Sequence, residues 1–270
     1  MSNWLHELPV IWMAIFVFGC TFLITGAIYA TVIRLAAEGR GRSFKAVSPG
    51  LLPPLGIIFG LFVAFTAAQV WNDSERAQSA VNREASALRT ILVMSAAFPG
   101  DKEAQFRTLI REHIEDTATK EWPTLSRRNA SLRFAPLNLA KTLQLTLSLQ
   151  PETEGQKTAQ REIVTAIENA LDARRQRILI SQSQVNLVKW LCLILEAVVA
   201  LIAIAMVHSD NRVAAAITLT LFSLGVAASV LLILAHDRPF TGEVAVGPQP
   251  LLQVMPDLSA TSINGTDPRP

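Results

Sequence analysis

One run of sequence, Leu51 to Ala97, limits the fold of this chain more than any other. It opens on Pro53 and Pro54 and continues apolar through Gly56, Gly60 and Ala64 to Trp71. No charge interrupts it over that length, and a bilayer span needs about 20 apolar residues. From Trp71 the pattern turns amphipathic without a break, through Asp73, Glu75 and Arg76 into Ala77, Val81, Ala85, Leu88 and Leu92. The next breaker is Pro99-Gly100. The spacing therefore predicts one helix that leaves a membrane and carries on into water.

Three more segments read as spans. Pro9–Ile33 is uncharged up to Arg34, too long for a signal-peptide core of about 7–15 residues, and no basic stretch precedes it. Leu187–Val207 and Val213–Ala235 are the others, joined by a turn so short that they must be antiparallel neighbours. The remaining chain is charged and helical in pattern. Phe106, Leu109, Ile110, Ile114 and Thr117 share a helical face, as do Ile163, Ile167, Ala170, Leu171 and Ile178. Leu137, Leu139, Leu143, Leu145, Leu147 and Leu149 alternate as a strand would, but a lone strand has nothing to pair with, so a helix is expected. Nothing between Thr153 and span three breaks a helix, so spans two and three are both expected to extend as long helices into the same domain.

The expected fold is thus an all-α integral membrane protein of four transmembrane helices with a helical extramembrane domain between spans two and three. Residues 9–71 hold spans one and two, 72–186 the domain, 187–235 spans three and four, and 236–270 a C-terminal tail. That tail is expected to be extended up to Val254 and disordered beyond.

Composition agrees. Only 17% of the 270 residues are charged, against about 25% in soluble domains. A net charge of +2 gives no case for a nucleic-acid partner. Cys20 and Cys192 fall in separate spans, where thiols behave as small hydrophobes. The four histidines are scattered, and Arg111–Asp116 lacks the paired histidines of a zinc helix. No phosphate loop, dinucleotide fingerprint or nucleophile elbow is present. No catalytic residue, metal or cofactor is expected, and the chain does not read as an enzyme.

Two sites stand out. At 100° per residue, span two sets Gly56, Gly60, Ala64, Ala67 and Trp71 on one side, small residues that let helices approach closely. Ile58, Phe62, Phe65 and Gln69 lie on the other, and Asp73 and Arg76 continue that stripe outside the membrane. Plain helix packing accounts for such faces. The alternative places Ile58, Phe62 and Phe65 around the axis of an oligomer as a hydrophobic neck, with Asp73 and Arg76 at its mouth. The second site is Glu196, a carboxylate mid-way along span three, where ionisable residues face the bundle interior. Lys189 is about 10.5 Å along the same face, too far for a direct pair. Hydrogen bonds to Thr21, Thr25, Thr218 or Ser223 would make Glu196 structural; a cation or proton pathway is the other reading. Lys and Arg flank both the loop after span one (Arg34, Arg40, Arg42, Lys45) and the domain ends of spans two and three, so the positive-inside rule gives two answers.

Three stretches carry a resemblance. Gly60–Trp71 running into Asn72–Ala80, the run Val81-Asn-Arg-Glu84-Ala85-Ser-Ala-Leu88, and the exit Asp237-Arg238-Pro239-Phe240-Thr241-Gly242 resemble the bestrophin-like membrane family, in order along nearly the whole chain. That resemblance implies an ion channel, since bestrophins proper are pentameric anion channels with the second helix lining the pore. It also implies a homo-oligomer in membrane lipid, a cytoplasmic domain, and a bacterial inner membrane as location. This chain departs from them in Glu196 and in having no clear acidic cluster for calcium. Two other readings stay open: a non-conducting scaffold whose domain binds a partner, and a proton-coupled carrier using Glu196. Glu84 is expected to pair with Arg174 or Arg177 as a packing salt bridge.

Overall fold

The computed structural model describes residues 5–6, 8–40, 44, 47–132 and 136–257. Arg42, Lys45 and the tail beyond Asp257 lie outside the described residues. The chain divides into two compact units, one built from residues up to Ser74 with Ser183–Ala245, the other from Glu75–Gln182 with the residues from Val246 on.

The first unit holds α1 (Val10–Leu35), the opening part of α2 (Leu52–Ser95), α7 (Leu187–Val207) and α8 (Arg212–His236). All four helices are long and apolar enough to span a membrane. α1 lies along α8 and α7, and Met13, Val17, Phe59, Val70, Leu193, Ala197, Val226 and Ala227 interlock at the centre. A second cluster, Val32, Leu201, Ile204, Ala205 and Leu219, closes the other end. Hydroxyls inside the bundle are satisfied locally: Thr21, Thr66 and Thr218 donate to the carbonyl four residues back. Thr25 and Ser223 join α1 to α8 at 2.6 Å. Such pairing is what a medium without water demands. Large apolar side chains cover the outside, as they do on a surface that faces lipid rather than water.

α1 begins after Pro9, whose side chain cannot cap, and the Glu243 carboxylate instead accepts from the Val10 N–H at 3.0 Å. Asn186 and Asn211 cap α7 and α8 with their own side chains. The Asp237–Gly242 exit folds back into this unit. Asp237 is buried, accepts from the Val185 N–H at 2.6 Å and lies 3.7 Å from His6 Nε2. Gly242 has φ +97°, and a Cβ there would sit 3.1 Å from the His6 carbonyl oxygen, so glycine is required.

α2 is unbroken over 44 residues, about 66 Å at helical rise. That is about twice the hydrocarbon thickness, so only its uncharged first part is a span. Span three differs from expectation. The helix before it, α6 (Glu154–Ser181), stops at Ser181, and α7 starts at Leu187. Gln182–Asn186 is non-helical because Asn186 caps α7 through the Val188 N–H and Asp237 captures the Val185 N–H. Two side chains thus offer backbone donors a better partner than a continuing helix does.

The second unit contains the rest of α2, α3 (Asp101–Asp116), a wide π turn at Thr117–Glu121, α4 (Trp122–Ser126), α5 (Leu137–Leu147), α6 and α9 (Gln249–Leu252). Gly100, at φ +86°, makes the corner into α3. Leu88, Ile91, Phe106, Ile110, Ile114, Leu125, Leu139, Ile163 and Ile167 are fully buried. The alternating leucines form a helix, and its inner face is Leu139, Thr142 and Thr146 with Asn138, while Leu137 and Leu147 point outward. Thr153 and Gln156 build a reciprocal capping box at the start of α6. Trp122 and Arg111 hold the returning tail by hydrogen bonds to the carbonyls of Val246 and Pro256.

Candidate functional site: one open face of α2 and a lone carboxyl on α7

The membrane part of α2 has two sides, but they are turned by about a quarter of a circle from the expected ones. Phe59 (7% exposed), Thr66 and Val70 (3%) face the bundle, with Phe62, Val63 and Ala67 half-buried against the same core. Opposite them, Ile57 (62%), Leu61 (52%), Ala64, Phe65 (73%) and Ala68 form an open strip, with Ile58 (52%) on its flank. Phe62 is half-buried against this subunit's core, while Ile58 and Phe65 of the expected neck stand exposed. The reason is that a periodicity shared by several apolar residues does not say which of its sides meets the neighbouring helix.

Of the small residues, Gly60 and Ala64 lie on the open side, whereas Ala67 packs against the core. A Cβ added at Gly56 or Gly60 would meet nothing within 4 Å, and Gly60 and Ala64 are exposed. Trp71 stacks on His236, with ring centroids 5.7 Å apart and planes at 22°. Gln69 accepts a hydrogen bond from Lys189 on α7, an intra-bundle contact that the sequence did not reveal. Of the expected mouth residues, Asp73 is half-buried and Arg76 exposed.

Glu196 has none of the hydroxyl partners expected for a structural role. Thr25 and Ser223 bond each other, while Thr21 and Thr218 are spent on the carbonyls of Val17 and Ala214. Its Oε2 is buried and accepts no hydrogen bond from a described residue. Lys189 and Glu196 share a face of α7, so Glu196 lies on the side that Lys189 turns to α2.

The second unit carries a buried ion network. Glu84 and Arg177 are completely buried and in contact at 2.8 Å, Oε2 to Nη1, without hydrogen-bond alignment. Glu84 Oε1 lies 3.2 Å from His113 Nε2, Arg177 also bonds Glu121, and Arg174 Nε donates to Glu121 at 2.8 Å. The Arg177 guanidinium lies over the Trp122 ring, 5.0 Å from its centroid. Burial pushes the Glu84 carboxyl up. Arg177 first, then His113 and Arg174, more than offset this and hold it below the usual glutamate value. Glu84 thus pairs with Arg177 as expected, whereas Arg174 goes to Glu121. A pocket of about 480 Å³ adjoins the network, lined among others by His113, Lys120, Glu121, Asn138 and Arg174. Among the described residues no three His, Cys, Asp or Glu side chains are grouped to hold a metal.

Four apolar helices with internally satisfied hydroxyls and an apolar exterior define an integral membrane protein of the all-α, multi-span class. The chain belongs to the bestrophin-like family, whose Bestrophin-like domain matches residues 10–251. It is similar in structure to a bacterial bestrophin homologue from Klebsiella pneumoniae. An isoleucine-to-threonine variant of that homologue is 11% identical at a TM-score of 0.70, over 90% of this chain and 97% of that one. Its structure phased on zinc gives 11% and 0.70 over 92% and 97%. A tyrosine-to-alanine variant gives 12% and 0.70 over 89% and 98%. At this level of identity the likeness establishes the fold. No curated protein matches the chain significantly.

Proposed function

We propose that this protein is an ion channel of a bacterial inner membrane, assembled from several copies with α2 lining the axis. The observation that carries the reading is the open strip Ile57, Leu61, Ala64, Phe65 and Ala68, on the span with the fewest buried positions. Within one copy it is exposed; around an axis, the same strips would enclose an apolar constriction that gates by wetting. Gly56, Gly60 and Ala64, also open, allow adjacent copies to approach closely beside it. Leu61 and Phe65 are one helical turn apart and form the narrow part of the neck.

Purified protein reconstituted in planar bilayers tests this, with Leu61→Ala and Phe65→Ala beside the parent. Both variants are expected to conduct more than the parent. Absence of current in all three, or a particle that native mass measurement shows to be a single copy, would refute it.

A further inference from the structure

We infer that the carboxyl of Glu196 is an intramembrane binding site for a small monovalent cation, a proton or an alkali-metal ion. Three observations lead there. First, Glu196 is the lone acidic residue in the four spans. α1 has no charge between Val10 and Ile33, α2 none before Asp73, and α8 none between Val213 and Ala235. The other titratable groups of the bundle helices are Cys20, Tyr29 and Arg34 on α1, Asp73 on α2, Lys189 and Cys192 on α7, and Arg212 and His236 at the two ends of α8, His236 stacking on Trp71.

Second, none of them serves the carboxyl. Lys189 is committed to Gln69, two turns away from Glu196, and the four candidate hydroxyls, Thr21, Thr25, Thr218 and Ser223, are bonded elsewhere. Glu196 keeps one oxygen buried with no donor among the described residues, while the residue itself is half-exposed. Buried polar atoms in native proteins nearly always have a partner. A carboxyl without a protein donor, reachable from one side, takes a cation.

Third, the Lys189–Gln69 contact sets the start of α7 beside α2. Glu196 stands seven residues, about 10.5 Å, further along α7 on the same face, and so lies within the span rather than at its end. For its consequence, a conductance that depends on the bound cation, the inference rests on the channel reading; the site itself does not.

Dicyclohexylcarbodiimide, which reacts with protonated carboxyls in apolar surroundings, is the probe, applied to the full-length protein in detergent. The expected result is one adduct per chain on the Glu196 peptide, absent in Glu196→Gln. If the cation is a proton, yield falls severalfold as pH rises and is the same in sodium, potassium and choline chloride. If it is an alkali-metal ion, sodium or potassium lowers the yield at fixed pH and choline does not. An adduct indifferent to pH and to salt overturns the proposal. Infrared difference spectra between low and high pH, and between choline and sodium or potassium, guard against poor reagent access. If parent and Glu196→Gln give identical carboxyl bands in both, the site is overturned as well. A labelled protein that never conducts would leave the site standing and remove the channel reading. A conducting Glu196→Gln with the parent's pH and ion dependence would remove the coupling.

Discussion

Glu84→Gln is the sharpest test of what holds the second unit together. The substitution keeps shape and an oxygen near His113 but removes the charge that faces Arg177, a guanidinium with no exposed surface. Breaking one partner out of a buried pair costs about 3–5 kcal/mol. Here Arg177 keeps Glu121 and the Trp122 ring, so the low end applies, about 3 kcal/mol. A unit of this size lies between the 60–100-residue and 150–250-residue classes, so each kcal/mol moves the melting temperature by about 3–6 °C, which predicts a loss of roughly 9–18 °C. Circular dichroism of the full-length protein in detergent measures it. The pH dependence has a definite sign. The Glu84 carboxyl is held below its ordinary value in the fold, so its contribution is complete above the ordinary glutamate range. It is lost as pH falls through the folded-state value. The gap between parent and variant should therefore be full at neutral pH and close in acid. The double change Glu84→Leu with Arg177→Met should recover most of the loss, since no charge is then left buried alone. An unchanged melting temperature in Glu84→Gln, or a gap that persists unchanged into acid, would refute the reasoning.

Three further outcomes are expected. Phe62→Ala should cost stability, about 2 kcal/mol for a half-buried ring, whereas Leu61→Ala should stay within about 0.5 kcal/mol. Thermal unfolding of the two variants side by side separates the packing side of α2 from its open side. Asp237→Ala should lower stability by about 1–3 kcal/mol because the buried Val185 N–H loses its acceptor, and Asp237→Asn, which keeps that oxygen, by less. Gly242→Ala should cost roughly 1–2 kcal/mol from its positive φ, with more from the close His6 carbonyl; hydrogen exchange at the start of α1 reports the loosening.

Periodicity alone was enough for the all-α, four-span architecture, through four apolar runs of spanning length, one of them continuing past Trp71 as an amphipathic helix; the family was visible only in the three motif stretches. The Glu84–Arg177 pair was also visible as one of two options, because two charged residues on adjoining amphipathic helices have few places to go. The break at Gln182–Asn186 was hidden, since its cause is an aspartate some fifty residues later, and the Glu243 cap on α1 is hidden in the same way. The orientation of α2 was legible only by half. Apolar residues cover its whole circumference, so composition fixes that it lies in a membrane and cannot fix which arc meets α7. The same holds for Glu196. Its place in an apolar run was evident from the chain, but that the candidate hydroxyls Thr25 and Ser223 bond each other depended on how the helices came together. Hydrophobic length and period are properties of a segment, so they can be read from it. The choice of partner for a face, a cap or a buried charge belongs to residues brought together from distant parts of the chain, and only packing makes it.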